Sequence, residues 1–276
     1  YRYRGSRRIL EDAGVPLMSS MGTSFTALKK LLDFADYDYK VHNLESCVPK
    51  NHEGAQTYAL SEFDSKEEMK QYGVSVPAQA IARSAEEIRD AVKGMKYPLA
   101  LKINSSEILH KTEAGGVKLH IQNEEEAAAA YQEIMDNVAR TNPGKKTDGI
   151  LVQEMAPSGV EIIIGVTNDK QFGPMLLVGL GGIYVEVFKD AALYPVPLNK
   201  GEAMDMLKSL KSYKLLTGYR GAKPCDLDAL TDMMVKISDY AYAHKDEIKE
   251  MDLNPVFVYP EGEGVCAVDA LIVKYK

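Results

Sequence analysis

The segment HKTEAGGV, residues 110–117, places an imidazole, an ammonium and a carboxylate before two adjacent glycines. Gly115 and Gly116 can adopt backbone angles that other residues avoid, and they can present N–H groups to a phosphate. Lys102, at the end of the preceding predicted strand, can reach the same phosphate as a point charge. Most glycine pairs only form turns, so this loop alone leaves phosphate binding and a simple turn both open.

His110, the first residue of this segment, is a candidate phosphoacceptor. An unperturbed imidazole has a pKa of about 6.5, so a neutral nitrogen is available as a nucleophile toward phosphorus near neutral pH. A phosphohistidine divides one long transfer into shorter steps, which is useful when two sites are far apart. Lys111 would offset the phosphoryl charge, and Glu113 would either orient the imidazole or be solvated. The alternative is a loop histidine that only hydrogen-bonds its neighbours.

A second group of polar side chains occurs near the C-terminus, in EMDLNPVFV. The strand period of two places Asp252 and Asn254 on the same face. A hairpin turn centred near Gly262 places Asn254 opposite Asp269, and directly paired residues have Cβ atoms about 4.5–5.5 Å apart. Oxygen ligands with room for water and phosphate suit Mg²⁺. A solvated polar face is the alternative, and Pro255 counts against a perfect register because proline lacks a ladder donor.

Length and composition restrict the class of protein. The 276 residues predict one large domain or two modest ones, and 45% hydrophobic with 26% charged residues is typical of globular proteins. No apolar run approaches the ~18 residues of a membrane span, and a net charge of −7 argues against a nucleic-acid surface. Three widely separated cysteines without metal-binding spacing predict a reduced, cytoplasmic setting. The chain opens on neither a methionine nor a signal peptide, so we expect a piece of a longer polypeptide.

Helical and strand-like stretches alternate along the chain, which predicts an α/β protein whose strands position the loop at 110–117. The predicted helices are SRRILEDAG, SFTALKKLLDFADY, DSKEEMKQYG, SAEEIRDAVKGM, NEEEAAAAYQEIMDNVAR and DLDALTDMMVKISDYAYAH. Of these, the fifth starts at Asn123 and the sixth is opened by Asp226. The predicted strands are YPLALKI, VKLHI, GILVQEM, EIIIGV and MLLVGL, followed by a hairpin from VFVY to VCAVDALIV. Residues 39–59 are mixed and aperiodic, so they are predicted to be a linker.

Four stretches in order resemble the ATP-grasp half of the ADP-forming acyl-CoA synthetases, relatives of succinyl-CoA synthetase. They are YPLALKINSSEILHKTEAGGVKL, GVEIIIGVTNDKQFGPMLLVGLGGIYVEVFKD, GYRGAKPCD and EMDLNPVFV. The resemblance runs from about residue 60 to the end, and residues 1–38 resemble the last two helices of that family's CoA-ligase region. It implies an ATP-grasp fold over 60–276, in which two α+β subdomains, about 78–149 and 150–276, clamp a nucleotide. A short helical remnant of an upstream domain would precede it.

The resemblance also implies roles for individual residues. His110 would relay a phosphoryl group received from a first histidine on the CoA-ligase half. Glu154 falls at the hinge that holds adenine, Glu161 falls where a carboxylate receives the ribose hydroxyls, and Arg220 matches either a phosphate contact or a structural ion pair. The glycine-rich segment GLGG, residues 179–182, and Glu186 also match the family pattern. The implied sets are His110, Lys111 and Arg220 for catalysis, Lys102, Gly115, Gly116, Val117, Glu154, Met155 and Glu161 for the nucleotide, and Asp252, Asn254 and Asp269 for Mg²⁺.

The implied reaction is acyl-CoA + phosphate + ADP ⇌ carboxylic acid + CoA + ATP, catalysed by an acid–thiol ligase. ATP or ADP and Mg²⁺ would bind this chain, and CoA would bind an upstream CoA-ligase domain in the same polypeptide or a partner subunit. The resemblance further implies a two-fold homo-oligomer without nucleic-acid or membrane partners. Three competing functions stay open: a ligand-sensing region of a protein acyltransferase, an ATP-grasp carboxylate–amine ligase that needs no phosphoacceptor histidine, and a nucleotide-binding protein without catalysis.

Overall fold

The chain divides into two units, 1–44 and 45–276. The computed structural model describes residues 4–14, 20–35, 52–108, 110–181 and 190–276. The first unit contains two helices, α1 (Arg4–Asp12) and α2 (Met21–Ala35), whose described side chains are mainly exposed. Helix α2 begins three residues before the predicted start at Ser24, because the Ser20 hydroxyl accepts the Thr23 N–H at 3.2 Å and caps the helix earlier.

The predicted linker is wrong at its C-terminal end. Its residues 39–51 lie outside the described part of the chain. Within it, Thr57–Ala59 forms strand β1, which pairs antiparallel with the C-terminal strand β11 (Leu271–Tyr275). A three-residue strand at a sheet edge is too short to show a hydrophobic period, so sequence patterns did not reveal it.

A four-stranded antiparallel sheet forms the first subdomain of the second unit. Its strand order is β2 (Gln79–Ala82), β5 (Ile150–Glu154), β3 (Leu99–Ile103) and β4 (Val117–Ile121). Helices α4 (Glu87–Val92) and α5 (Glu124–Thr141) pack on this sheet and share a core with it. Since β5 belongs to this sheet, the predicted subdomain boundary at 150 lies one strand too early; the hydrophobic pattern of a strand does not specify which sheet it joins.

A seven-stranded sheet forms the second subdomain. Strand β10 (Val265–Ala267) pairs only with β9, and the rest of the order is β1, β11, β9 (Ile248–Val258), β6 (Val160–Asp169), β7 (Gly173–Leu180) and β8 (Ala191–Pro195). Three helices pack against this sheet: α6 (Lys200–Ser209), α7 (Tyr213–Leu216) and α8 (Leu227–Ala243). The sequence analysis predicted α8 with its Asp226 cap, but it did not predict α6 or α7.

Each sheet has its own hydrophobic core. On β6, Ile162, Ile164 and Val166 are buried at alternate positions, and the apolar face of α8 covers this side of the sheet with residues such as Met234 and Ile237. The two-subdomain α/β architecture predicted from the sequence is therefore confirmed. Among the described residues, no helix is both long enough and apolar enough to cross a lipid bilayer.

The C-terminal hairpin has the register that the sequence predicts. Cys266 pairs with Phe257 on the turn side, and Leu271 pairs with Asp252 further along. Between these pairs, the Val268 N–H donates to the Pro255 carbonyl at 3.0 Å. This spacing sets Asn254 opposite Asp269, although 268–270 lie between β10 and β11 rather than in a strand.

Helix α3 (Glu62–Gln71) connects the two sheets. Ser61 caps it, so it begins two residues earlier than the predicted start at Asp64. The Ser65 hydroxyl accepts the Ile272 N–H from the larger sheet at 3.2 Å. Lys66 is fully buried and donates both to Gln153 of β5 and, at 3.5 Å, to the Val268 carbonyl beside β10. One helix therefore holds both subdomains by hydrogen bonds.

The Asp226 carboxylate joins helix α8 to the hairpin turn, and its removal is expected to destabilise the fold. It accepts N–H groups of Ala229, Gly262 and Gly264, each at 3.0 Å. Asp226→Ala should therefore lower the free energy of unfolding by about 1–2 kcal/mol at pH 7, measured by urea denaturation. Asp228→Ala is the matched control, because the Asp228 side chain is 78% exposed.

The effect of Asp226→Ala on the free energy of unfolding should depend on pH. Hydrogen bonding, first of all from the Ala229 N–H, lowers the pKa of Asp226 below its ordinary value. A carboxylate with a lowered folded-state pKa stabilises fully above its unfolded pKa of about 3.9 and less as the pH falls below it. The difference between wild type and Asp226→Ala should narrow in strongly acidic solution. A difference that stays constant from pH 7 to pH 3 would contradict this assignment.

Candidate active site

A cavity of about 440 Å³ lies between the two sheets. Its walls come from the end of β3, the loop that follows it, the polar face of β9 and the start of β11. The lining residues are Leu60, Glu62, Lys102, Ser105, His110, Lys111, Thr112, Glu113, Val117, Asp252, Asn254, Asp269, Ala270 and Leu271. The structure therefore brings together seven of the thirteen predicted site residues: Lys102, His110, Lys111, Val117, Asp252, Asn254 and Asp269.

Lysine side chains converge on one carboxylate at the base of the cavity. The Glu62 side chain is 1% exposed, and its Oε1 lies 2.6 Å from Lys102 Nζ and 2.9 Å from Lys66 Nζ. Lys111 donates to the other oxygen, Oε2. Lys102 also lies 3.3 Å from Asp269 Oδ2. A buried carboxylate is tolerated here because its partners are all positively charged.

The charges in this cluster perturb one another strongly. Burial raises the pKa of Glu62, but the positive charges of Lys102, Lys66 and Lys111 lower it further than burial raises it, so Glu62 stays ionised. Burial lowers the pKa of Lys102, but Glu62 and then Asp269 raise it above its ordinary value. For Lys66, burial dominates and lowers the pKa. Lys102 is therefore a fixed positive charge at the cavity wall.

Oxygen donors face these lysines from the other sheet. On β9, Met251 and Leu253 are buried while Asp252 and Asn254 point to the opposite, accessible face, as the strand period predicts. Burial first, and then the negative charge of Asp269, raises the pKa of Asp252. Two carboxylates that repel each other beside an amide oxygen are a donor set that a divalent cation would neutralise.

The protein donors of this patch are few. Within the described residues, no group of three His, Cys, Asp or Glu side chains is close enough to hold a metal by itself. Two carboxylates and one amide, with further oxygens from phosphate and water, match the way in which Mg²⁺ binds with nucleotides. The residues therefore fit Mg²⁺ that binds together with the nucleotide phosphates rather than Mg²⁺ held by the protein side chains alone.

His110 lines the cavity, and its loop is closed by its own backbone. The Ala114 N–H donates to the His110 carbonyl at 3.2 Å, and Thr141 of α5 donates to the Ala114 carbonyl at 3.2 Å. The imidazole is exposed, and among the described residues it has no hydrogen-bond partner.

The two loop glycines have a steric role in this structure. Gly115 has a φ of +64°, in the left-handed region, and a Cβ on Gly116 would lie 2.6 Å from Ile103 Cγ2. Their N–H groups donate inside the loop, to Thr112 O at 3.0 Å and to Lys111 O at 2.8 Å. The prediction that these N–H groups face a phosphate is therefore wrong for this conformation, because the turn itself uses both donors.

Besides Gly115 and Gly116, four predicted site residues lie outside the lining of this cavity. Glu154 and Met155 lie where β5 leaves the smaller sheet; Glu154 accepts the Lys96 N–H at 2.8 Å. Glu161 is exposed on β6. The Arg220 guanidinium stacks over its neighbour Tyr219, 5.3 Å from the ring centroid. Gly182 and Glu186, which also match the family pattern, lie outside the described residues.

Sequence analysis missed Glu62. One residue after a serine cap, with a lysine four residues on, Glu62 and Lys66 look like an ordinary exposed ion pair in the first turns of a helix. The side chains of both are buried, because α3 lies at the junction of the two sheets. The only sequence signal of their burial was that Glu62 and Lys66 are next to the apolar positions of a short helix, and this signal is weak.

Comparison with known proteins identifies the family. A model of the ATP-grasp domain matches residues 52–273. The acetate–CoA ligase (ADP-forming) II subunit beta of Pyrococcus furiosus is 41% identical over 215 residues, covering 78% of this chain and 91% of that subunit. The acetate–CoA ligase (ADP-forming) I of Archaeoglobus fulgidus is 35% identical over 272 residues, covering 94% of this chain and 39% of that protein.

A solved structure agrees with these sequence matches. The dinucleotide forming acetyl-coenzyme A synthetase 1 of Ca. Korarchaeum cryptofilum, in complex with coenzyme A, Ca-AMPCP and HgCl⁺, has a TM-score of 0.74 and 43% identity, covering 79% of this chain and 93% of that chain. The same protein, in complex with coenzyme A and Mg-AMPPCP, has its phosphohistidine segment pointing towards the nucleotide binding site. This chain belongs to the ATP-grasp family and, within it, to the ADP-forming acyl-CoA synthetases.

Proposed function

We propose that this chain is the nucleotide-binding half of an ADP-forming acyl-CoA synthetase and that His110 is its phosphoacceptor. The observation that carries the proposal is the shared cavity, where two lysines from one side and two carboxylates from the other surround an imidazole that has no hydrogen-bond partner among the described residues. The overall reaction is acyl-CoA + phosphate + ADP ⇌ carboxylic acid + CoA + ATP. The names of the relatives, which range from acetate–CoA ligases to a 4-hydroxybutyrate–CoA ligase and a trans-feruloyl-CoA synthase, support a carboxylic acid as the substrate.

The step at this site transfers a phosphoryl group between ATP and His110. The neutral imidazole nitrogen uses its lone pair to form a bond to the γ-phosphorus, and the bond from that phosphorus to the β–γ bridging oxygen breaks. ADP leaves with the bonding electrons. Lys102 and Lys111 offset the negative charge on the transferring group, which spreads over the phosphoryl oxygens. In the reverse direction, ADP attacks the phosphohistidine and regenerates the free imidazole.

Asp252, Asn254 and Asp269 would hold Mg²⁺, which would supply positive charge to offset the nucleotide phosphates. The carboxylate of Asp269 also accepts a hydrogen bond from Lys102 at 3.3 Å. This contact fixes the lysine beside the proposed metal ligands. The phosphates would therefore meet positive charge from both sheets at once.

The hinge between the sheets is the proposed site for the base and ribose. Glu154 and Met155 end β5, and the chain then enters β6, which carries Glu161. We assign Glu154 and Met155 to the adenine and Glu161 to the ribose hydroxyls, with Val117 at the cavity wall. Gly115 and Gly116 shape the turn that presents His110, whereas Arg220 has a φ of 55° and lies outside the lining of the cavity.

The second half of the reaction requires a CoA-ligase partner. The P. furiosus relative is a beta subunit, while the A. fulgidus relative is more than twice as long as its matched region. CoA and the acyl group would bind that partner, either as an upstream domain or as a separate subunit, and phosphohistidine would carry the phosphoryl group to it. A regulatory acyl-CoA synthetase-like region would bind nucleotide without turnover, and a carboxylate–amine ligase would not phosphorylate a histidine.

The first test follows the phosphoryl group. With γ-labelled ATP and Mg²⁺, the wild-type chain should acquire an acid-labile, base-stable label that maps to residues 110–117. His110→Asn should abolish this label, because an amide is not a nucleophile toward phosphorus. The control is His244→Asn, a surface position at the end of α8 where the histidine contacts Tyr72 and Glu247; it should label like wild type. Normal labelling of the His110→Asn chain would contradict the proposed role of His110 as the phosphoacceptor.

The second test titrates Mg²⁺. Asp269→Asn removes one of the two carboxylates in the proposed donor set, so the Mg²⁺ concentration for half-maximal labelling should rise about tenfold or more. Glu250→Gln is the control: it lies two residues before Asp252 on the same face of β9 but does not line the cavity. An Asp269→Asn chain with an unchanged Mg²⁺ requirement would contradict the assignment of the metal site.

A further inference from the structure

Glu62 connects the nucleotide-facing strand to the loop that carries His110. Its Oε1 accepts from Lys102 on β3 at 2.6 Å, and its Oε2 accepts from Lys111 in the loop. Lys111 directly follows His110, so a fixed Lys111 side chain restricts where the imidazole can lie. Among the residues that line the cavity, Glu62 thus links the proposed phosphate site to the proposed phosphoacceptor.

The position of Glu62 is itself rigid. It lies in the first turn of α3 and pairs with Lys66, which is fully buried. Lys66 in turn donates to Gln153 of the smaller sheet and to the Val268 carbonyl beside the larger sheet. The carboxylate is therefore held at the junction of both subdomains, which makes it a fixed point against which a loop can dock.

The three lysines differ in how readily they can leave this carboxylate. The side chains of Lys66, Lys102 and Lys111 are 0%, 11% and 16% exposed, respectively. Lys66 comes from a helix and Lys102 from the central part of a sheet, whereas Lys111 comes from a loop whose backbone bonds are mostly internal. Lys111 is therefore the partner that can be released without disturbing either sheet.

We propose that Glu62 is a positioning residue that docks the loop carrying His110 at the nucleotide side of the cavity through its ion pair with Lys111. The inference rests on the proposed function and deepens it by naming what holds the loop. A phosphoryl group on His110 brings a second anion next to Lys111. This anion competes with Glu62 for Lys111. Phosphorylation therefore weakens the Glu62–Lys111 ion pair at the stage when the loop has to leave the nucleotide side of the cavity.

Hydrogen–deuterium exchange of the full chain, without nucleotide, tests the dock independently of catalysis. Glu62→Gln and Lys111→Gln should both increase exchange of the amides in 110–117, by a similar factor. Glu68→Gln should not, although Glu68 lies on the same helix and pairs with Lys274 at 2.9 Å. Lys111→Gln keeps Glu62 paired with Lys66 and Lys102, so it gives an answer even if Glu62→Gln does not fold.

Labelling of His110 by ATP and Mg²⁺ tests the consequence. At saturating ATP, Glu62→Gln should lower the maximal labelling rate about 10- to 100-fold, as expected when a reacting group is misplaced by about an ångström. Introduced into Lys111→Gln, the same change should have a smaller further effect, because the contact with Lys111 is already absent and only the contacts with Lys102 and Lys66 remain to be lost. A purely structural role would slow both backgrounds equally.

The outcomes separate this inference from the proposed function. No label on wild-type His110 overturns the proposed function, and the exchange experiment then still tests the dock. A wild type that labels normally, together with Glu62→Gln and Lys111→Gln chains that label at the wild-type rate or exchange like wild type at 110–117, overturns the dock. Increased exchange in Glu68→Gln of the same size would also overturn it, since the effect would then belong to the helix as a whole.

Discussion

The structure depends on the neutralisation of positive charge where the two sheets meet. Three ammonium groups lie within hydrogen-bond distance of the single carboxylate of Glu62, in a place with little access to water. An unpaired charge there would cost several kcal/mol, so the carboxylate is required if these lysines are to stay. One carboxylate against three ammonium groups leaves a surplus of positive charge, and Asp269 offsets only part of it.

The same arrangement explains why the cavity carries opposite charges on its two sides. The smaller sheet and the loop after β3 supply Lys102 and Lys111, and the larger sheet supplies Asp252, Asn254 and Asp269. Helix α3 holds the two sheets together through Lys66 and Ser65. A nucleotide with a divalent cation carries negative phosphates and a positive ion, so it can pair with the lysines of one wall and the carboxylates of the other. His110 stands between them on a loop with two glycines. The fold thereby places an exposed imidazole beside lysines on one wall of the cavity and oxygen donors on the other.

Local sequence patterns predicted those features of the structure that depend on residues close together in the chain. The alternation around Asp252 and the distance to the turn at Gly262 were sufficient to set Asn254 opposite Asp269, because hairpin register follows from the chain on both sides. The helix caps at Asn123 and Asp226 were likewise predicted from residue type. The resemblance to a known family added the proposed roles of Glu154, Glu161 and Arg220, which lie beyond the cavity lining.

What escaped prediction depends on long-range packing. The sheet to which Ile150–Glu154 belongs is decided by pairing partners, and not by its own pattern. Glu62 looked like a surface residue, because its burial results from two sheets that come together far away in sequence. The central claim is tested most directly by isolating the labelled, phosphorylated chain and adding ADP with Mg²⁺. The account predicts transfer of the label to ADP, yielding one ATP for each phosphohistidine; label that stays on the chain would contradict it.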